Sequence, residues 1–348
     1  MSRSLWVSVL ALLLGACAAQ PPAEQLRAAL PATYVGTLPC ADCPALDYSL
    51  LLRADGNYFL RRDYVERGAV DEIGRWLLSS DQKVLALQGG ERFAIDSGEQ
   101  LTLRDSNGAA IAVKPAPGVP QGLNYSLRRS ETALPPQPQL KLRGSYLYSA
   151  DAATFTECRT GLQFAVLPSS AAQTLQSAYL SGRGAPGEPL LVALAGRLTE
   201  AVVGAGEPQP ALEVTRFLQP LPEPACGSTF APASLVGTAW LVTQLGGQAL
   251  DDDGGARPSL QFDADKERVS GFTGCNRLVG GYKIGDNALQ FGELAATRMA
   301  CPGASILEVT FTDALKAVAS YAIIGDQLEL YDAEGTLLLR FAADKGAR

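Results

Sequence analysis

Seven cysteines and two clusters of prolines divide this chain before any strand or helix is assigned to it. Cys17 stands alone at the end of the only long apolar run. The other six, Cys40, Cys43, Cys158, Cys226, Cys275 and Cys301, fall two by two into three segments. Between the segments lie Pro135, Pro136 and Pro138, then Pro220, Pro222 and Pro224, and proline-rich connections of this kind are extended and fairly stiff. A chain of 348 residues with ordinary apolar content has material for two or three globular domains.

Met1-Ser-Arg-Ser is a short n-region carrying Arg3. Leu5 to Leu14 has the length of an h-region, too short and wrongly flanked to span a bilayer. An ordinary secretory signal ends in an A-x-A-type site, whereas here Leu14-Gly15-Ala16 leads into Cys17 and resembles the lipobox of bacterial lipoproteins. The resemblance implies cleavage before Cys17, a diacylglycerol on its sulfur and acylation of the new amino group. Several chains on one residue anchor stably, because each buried methylene contributes about 0.8 kcal/mol. Ala18, where an aspartate would retain the protein, points by the same resemblance to the outer membrane, with the rest of the chain in the periplasm. Loss of Arg3 takes the formal charge from −7 to −8, so nucleic acid is not expected as a partner.

With Cys17 given to lipid, six cysteines remain in a compartment where disulfides persist. Many pairings are open on paper. Their distribution favours pairing within each segment: Cys40–Cys43, Cys158–Cys226 and Cys275–Cys301. In the chain-entropy account the tiny first loop contributes about 2 kcal/mol, against about 4 kcal/mol for the long second one.

The first segment reads as β. Leu46 to Arg53 and Tyr58 to Tyr64 flank Asp55-Gly56, a strong hairpin signal, and Gly74 to Leu78, Val84 to Leu87, Arg92 to Ile95, Leu101 to Arg104 and Leu123 to Arg128 follow as short runs. Strands at this spacing predict a sandwich or small barrel. Tyr34-Val-Gly-Thr-Leu-Pro-Cys40-Ala-Asp-Cys43-Pro, with the Ala-Asp-Gly hairpin and Gly74-Arg-Trp76, resembles the N-terminal domain of the NlpE family. That family of envelope-stress and copper-associated lipoproteins implies a small lipocalin-like barrel.

Beyond the linker, Ala-Asp-Ala-Ala-Thr-Phe-Thr-Glu-Cys158, Ser177-Ala-Tyr-Leu and the late Cys226 resemble the C-terminal OB-fold domain of the same family. Ala172, Leu175 and Tyr179 stand at helical spacing, between strands read at Phe164 to Leu167, Leu190 to Leu194 and Leu212 to Phe217. In the third segment Ser305 and Glu308 have capping-box spacing, and Leu307, Phe311, Ala314, Leu315 and Val318 line one helical face. Gly274-Cys275-Asn276, Thr297-Arg-Met-Ala-Cys301, this helix and a terminal hairpin resemble the META domain, found in HslJ. Together the three resemblances imply a META-and-NlpE lipoprotein.

The expected organisation is mainly β: signal peptide 1–16, lipidated polar tether 17–31, barrel 32–130, linker 131–140, OB-fold 141–227 and an α+β META domain 232–345. Three domains on a tether with stiff linkers would have the reach to touch another membrane's protein. Trp76 and Trp240 follow strand starts and are expected in cores.

The chain contains no histidine, which removes the usual general base, the Ser-His-Asp and Cys-His nucleophile pairs, and the commonest zinc ligand. Asp251, Asp252 and Asp253 read as a solvated turn, and an enzyme is not expected. The Cys40-x-x-Cys43 motif leaves three readings open: a structural disulfide, an exchanging redox reporter, or a pair of thiolates for Cu(I). A copper site would be short of ligands, since only Met299 remains among methionines after cleavage. Cys158–Cys226 joins the ends of one domain and, by the NlpE resemblance, is the better folding reporter for an inner-membrane stress sensor. The alternative is a carrier of a small apolar ligand or copper, or a passive structural lipoprotein.

Overall fold

The computed structural model describes residues 20–113, 122–131, 139–149, 152–183, 185, 187–202, 209–222, 226, 232–250, 256–263, 267–285, 288–301 and 305–344. Cys17, the prolines of the first linker and the Asp251 turn lie outside them.

In the first domain eight strands form one closed antiparallel barrel in chain order. They are β1 (Ala32–Leu38), β2 (Leu46–Leu52), β3 (Asn57–Tyr64), β4 (Gly68–Leu78), β5 (Val84–Leu87), β6 (Arg92–Ser97), β7 (Gln100–Arg104) and β8 (Ser126–Ser130). Pairing of Tyr34 with Arg129 closes the ring. The hairpin turns at Asp55-Gly56 as its residues predict: Asp55 Oδ1 accepts from the Asn57 N–H at 3.0 Å, and Gly56 takes φ +81°, which a side chain would resist. Strand alternation sends Tyr34, Leu50, Leu52, Tyr58, Leu60, Leu85, Phe93, Leu101 and Leu127 into the interior. An eight-stranded barrel is just wide enough for its own side chains, and these occupy it.

Where a polar tether is expected, residues Pro22–Ala29 form a helix, α1. Pro22 suits the first helical position because the missing N–H would be unpaired there anyway. Ala23 and Leu26, one turn apart, are buried against the barrel core, and Gln25 Oε1 accepts from the Gly98 N–H at 3.1 Å. The segment is therefore a lid on the barrel end.

The second domain is a smaller closed barrel in the order β10-β11-β13-β12-β9. Its strands are β9 (Gln139–Ser149), β10 (Ala152–Glu157), β11 (Gln163–Val166), β12 (Leu190–Ala201) and β13 (Gln209–Pro220), with β11 and β13 parallel. Helix α2 (Ser170–Gly182) is capped by Ser169 Oγ, which accepts from the Ala172 N–H, and buries Leu175 and Tyr179.

The META segment is a nine-stranded antiparallel sheet: β14 (Ala239–Leu245), β15 (Gln248–Ala249), β16 (Ser259–Asp263), β17 (Arg268–Phe272), β18 (Arg277–Ile284), β19 (Leu289–Ala296), β20 (Ser320–Ile324), β21 (Gln327–Tyr331) and β22 (Leu337–Ala343). An Ala288–Ser320 bridge brings its two edges together. Helix α3 (Ser305–Ala317) puts Phe311 and Leu315 into a core with Trp240, Phe262 and Phe341, while Trp76 lies in the first barrel's core.

The second domain and the META domain each dock on the first barrel, so the proline-rich linkers do not hold the domains apart. The first contact is apolar: Ile73 of β4, with Phe59 beside it on β3, joins the core of the second domain. The second contact, between the first barrel and the META sheet, is polar. Arg92 pairs with Glu329, Gln244 Nε2 donates to Asn107 Oδ1 at 2.8 Å, and Arg340 Nη2 donates to the Ser106 carbonyl at 2.6 Å.

Candidate functional sites at the cysteine pairs

The loop after β1 carries Cys40 and Cys43 joined to each other, with Cα atoms 5.3 Å apart. Both are partly shielded, and Asp42 between them is exposed. The two sulfurs and an Asp42 carboxylate oxygen lie within 4.8 Å of one another, the one such cluster among the described residues. Arg67, from the turn after β3, forms an ion pair with Asp42. With the disulfide closed there are no thiolates. Soft-metal chemistry here requires reduction first, and then offers two sulfurs and a carboxylate already shared with a guanidinium.

Cys158 lies in the turn after β10 and is bonded to Cys226 beyond β13, closing the ends of the second domain. The buried Glu157 carboxylate organises the turn by accepting from the N–H groups of Arg159 and Thr160 at 3.0 and 2.8 Å and from Thr160 Oγ1 at 2.7 Å. Arg159, next to the disulfide, points across the domain boundary and meets Glu72 of β4 at 3.1 Å. Glu72 also accepts from Tyr58 Oη and from Arg62 Nη2, both at 2.6 Å, and Arg62 pairs onward with Glu91 at 2.7 Å. Burial, with the neighbouring Glu72 carboxylate adding to it, pushes the Tyr58 hydroxyl well above the usual phenol range, so it stays a neutral donor. The turn at Cys158 and the polar cluster on the first barrel are thus one connected network.

Cys275 and Cys301 are bonded beside the entry to α3. Asn276 is the centre of this corner. Its Oδ1 accepts from Thr297 Oγ1 at 2.8 Å and from the Met299 N–H at 2.7 Å, and its Nδ2 donates to Glu308 Oε1 at 2.9 Å. Glu308 thus ties the start of α3 to Asn276 and to Thr273 Oγ1, which donates to it at 2.9 Å.

Family models match three consecutive stretches: the NlpE N-terminal domain at residues 34–114, the NlpE C-terminal OB domain at 136–227 and the META domain at 233–345. Lipoprotein NlpE of Escherichia coli (strain K12) is 34% identical over 175 residues, covering 49% of this chain and 69% of that protein. This chain belongs to the NlpE lipoprotein family. A crystal structure of the Cpx pathway activator NlpE from Escherichia coli is matched at 30% identity over 57% of this chain and 100% of that one, with a TM-score of 0.25. A protein from Burkholderia xenovorans solved by NMR is matched at 30% identity over 32% of this chain and 84% of that one, with a TM-score of 0.28.

In this NlpE-family chain each of the six cysteines from Cys40 onward lies in a disulfide with the neighbour from its own segment. No helix among the described residues is long and apolar enough to cross a membrane. Sequence reasoning missed the charged residues that couple domains, Arg159, Glu72, Arg92 and Glu329. The available signal was weak: Glu329 is an acid set between Leu328 and Leu330.

Proposed function

We propose that this chain is an envelope-stress lipoprotein held in the outer membrane by lipid on Cys17, facing the periplasm. It acts by contact with an inner-membrane sensor protein when lipidation or disulfide formation fails. Support comes from its relative, the E. coli protein described as a Cpx pathway activator. The observation in this chain that carries the reading is Arg159. It follows Cys158 directly and ends on Glu72 of the first barrel, so opening the Cys158–Cys226 bridge loosens a turn that holds the two domains in register. The role needs no catalytic residue and no bound cofactor. Nucleic acid remains a poor partner for so acidic a chain.

The test is an envelope-stress reporter in cells carrying Cys17→Ala or Cys158→Ser forms at equal abundance. Each is expected to raise the signal several-fold, and two unchanged strains would overturn the reading. Copper tolerance is the second part of the proposal, supported by the Cys40, Asp42 and Cys43 cluster. Disulfide mapping of mature periplasmic protein, with and without copper, decides it. Reduced Cys40 and Cys43 retaining copper would make the first domain a metal site, whereas a closed pair indifferent to copper would confine the domain to a structural and reporting role.

A further inference from the structure

The two inter-domain contacts differ in kind. Ile73 and Phe59 place the first barrel's outer face in the second domain's apolar core, whereas the core clusters of the first barrel and the META domain each keep to their own domain. What joins those two is a desolvated charge network. Arg92, at the start of β6, donates through Nη1 to Glu329 and through Nη2 to Gln327 Oε1 at 2.6 Å. Glu329 is fully buried, and it also holds Arg340 Nε at 2.7 Å and the Tyr331 hydroxyl. At the sheet edge the Ile323 N–H donates to Ser80 Oγ, in the turn after β4, at 3.1 Å.

The network is asymmetric. If the META domain leaves, Glu329 keeps Arg340 and Tyr331, both its own neighbours. Arg92 keeps nothing, since both side-chain partners it has among the described residues are on the META side. Polar contacts between domains of one chain behave like transient interfaces. A buried ion pair adds little net stability over separate hydrated charges, yet strongly penalises any partner that fails to supply the complement. An apolar seam of the Ile73 kind has neither property.

We infer that the META domain is a reversible cap on the first barrel, and that the surface it covers, centred on Arg92, is where a protein partner docks by presenting a carboxylate in the place of Glu329. The inference rests on the reading that the chain works by protein contact. The META domain occupies the site in cis, and an acidic surface of the partner replaces it.

Two full-length mature variants open the cap from opposite sides: Arg92→Glu on the barrel and Glu329→Lys on the META sheet. Hydrogen–deuterium exchange should show the peptide covering 320–324, whose Ile323 N–H donates to Ser80 Oγ across the contact, exchanging more than tenfold faster in both. Peptides 240–245, in the META core, and 59–73, at the second domain's contact, should keep their protection, which separates undocking from unfolding. Arg92→Gln, which leaves the META network whole, should open it to a lesser extent. Unchanged exchange at 320–324 in all three variants overturns the cap. In the stress reporter, Glu329→Lys, which leaves Arg92 in place, should raise the signal several-fold, and Arg92→Glu should not. Equal signals from the two overturn the carboxylate-reading surface. If the Cys17→Ala strain is flat as well, the stress reading fails with it, while exchange still decides the cap.

Discussion

Asn276 and Tyr34 show what single buried polar groups do here. Asn276 is 3% exposed and satisfies both sides of its amide, tying the Cys275 loop, the Met299 backbone and α3 together. Asn276→Ala leaves the Met299 N–H and part of Glu308 without these partners in a partly buried corner, and is expected to cost about 1 kcal/mol by chemical denaturation. Asn276→Asp should do no better, because it sets a second carboxylate against Glu308. The Tyr34 hydroxyl donates to the Gly98 carbonyl at 2.7 Å inside the first barrel. Burial, opposed by Arg129 and reinforced by Glu99, pushes it up to about 12 from an ordinary 10.0. Tyr146, buried beside Tyr148 and Tyr179, is likewise pushed up to about 12. The unfolded chain ionises these phenols first, so their contribution is complete below pH 10.0 and drains away as pH rises through about 12. Spectrophotometric titration should show these two ionising only as tertiary structure is lost. A Tyr34→Phe chain, lacking that ionisation, should lose stability less steeply over the same range.

At the scale of elements, the strands are legible because period-two alternation with Gly and Asp turns leaves few other ways to bury Leu50, Leu52, Tyr58 and Leu60. Helix α1 was not legible: with only Ala23 and Leu26 buried, eight residues next to a lipobox look like spacer until the barrel end is there to receive them. Leu26→Ala is expected to cost about 3 kcal/mol, the ordinary price of a cavity under a fully buried leucine, measured as a shift of the barrel's denaturation midpoint. Leu26→Asp should free the helix and raise amide exchange along β6. Glu308 makes the same point in α3. Its spacing from Ser305 describes only a local role at the helix start, whereas the folded corner also brings it Asn276 and Thr273 from a distant loop.

At the scale of the whole molecule, docking replaces reach. The apolar seam at Ile73 and the bridge from Arg159 to Glu72 hold the second domain to the first. Ile73→Asp buries a carboxylate in that seam and should separate the two domains, seen as faster exchange in β4 and β9 together with a larger radius of gyration in solution scattering. Arg159→Ala should have a weaker effect of the same sign, because Arg159 is partly exposed and its ion pair is screened. Reduction of Cys158–Cys226 should move the molecule in the same direction. That places the redox state of the second domain and the posture of the first on one axis.

What the sequence by itself determined is everything that depends on neighbours along the chain. The division into three β-rich units, the hairpins, the face of α3 and the cysteine pairs by segment all follow from local spacing and turn chemistry. What only the tertiary structure decided is where charges meet across long separations. Arg92 and Glu329, 237 positions apart, and Arg159 and Glu72 across a proline-rich linker carry no periodicity and no motif. Arginines and glutamates on strands read from sequence as solvated outward positions. They become interface groups only when folded domains remove the water, because desolvation makes the choice of partner matter.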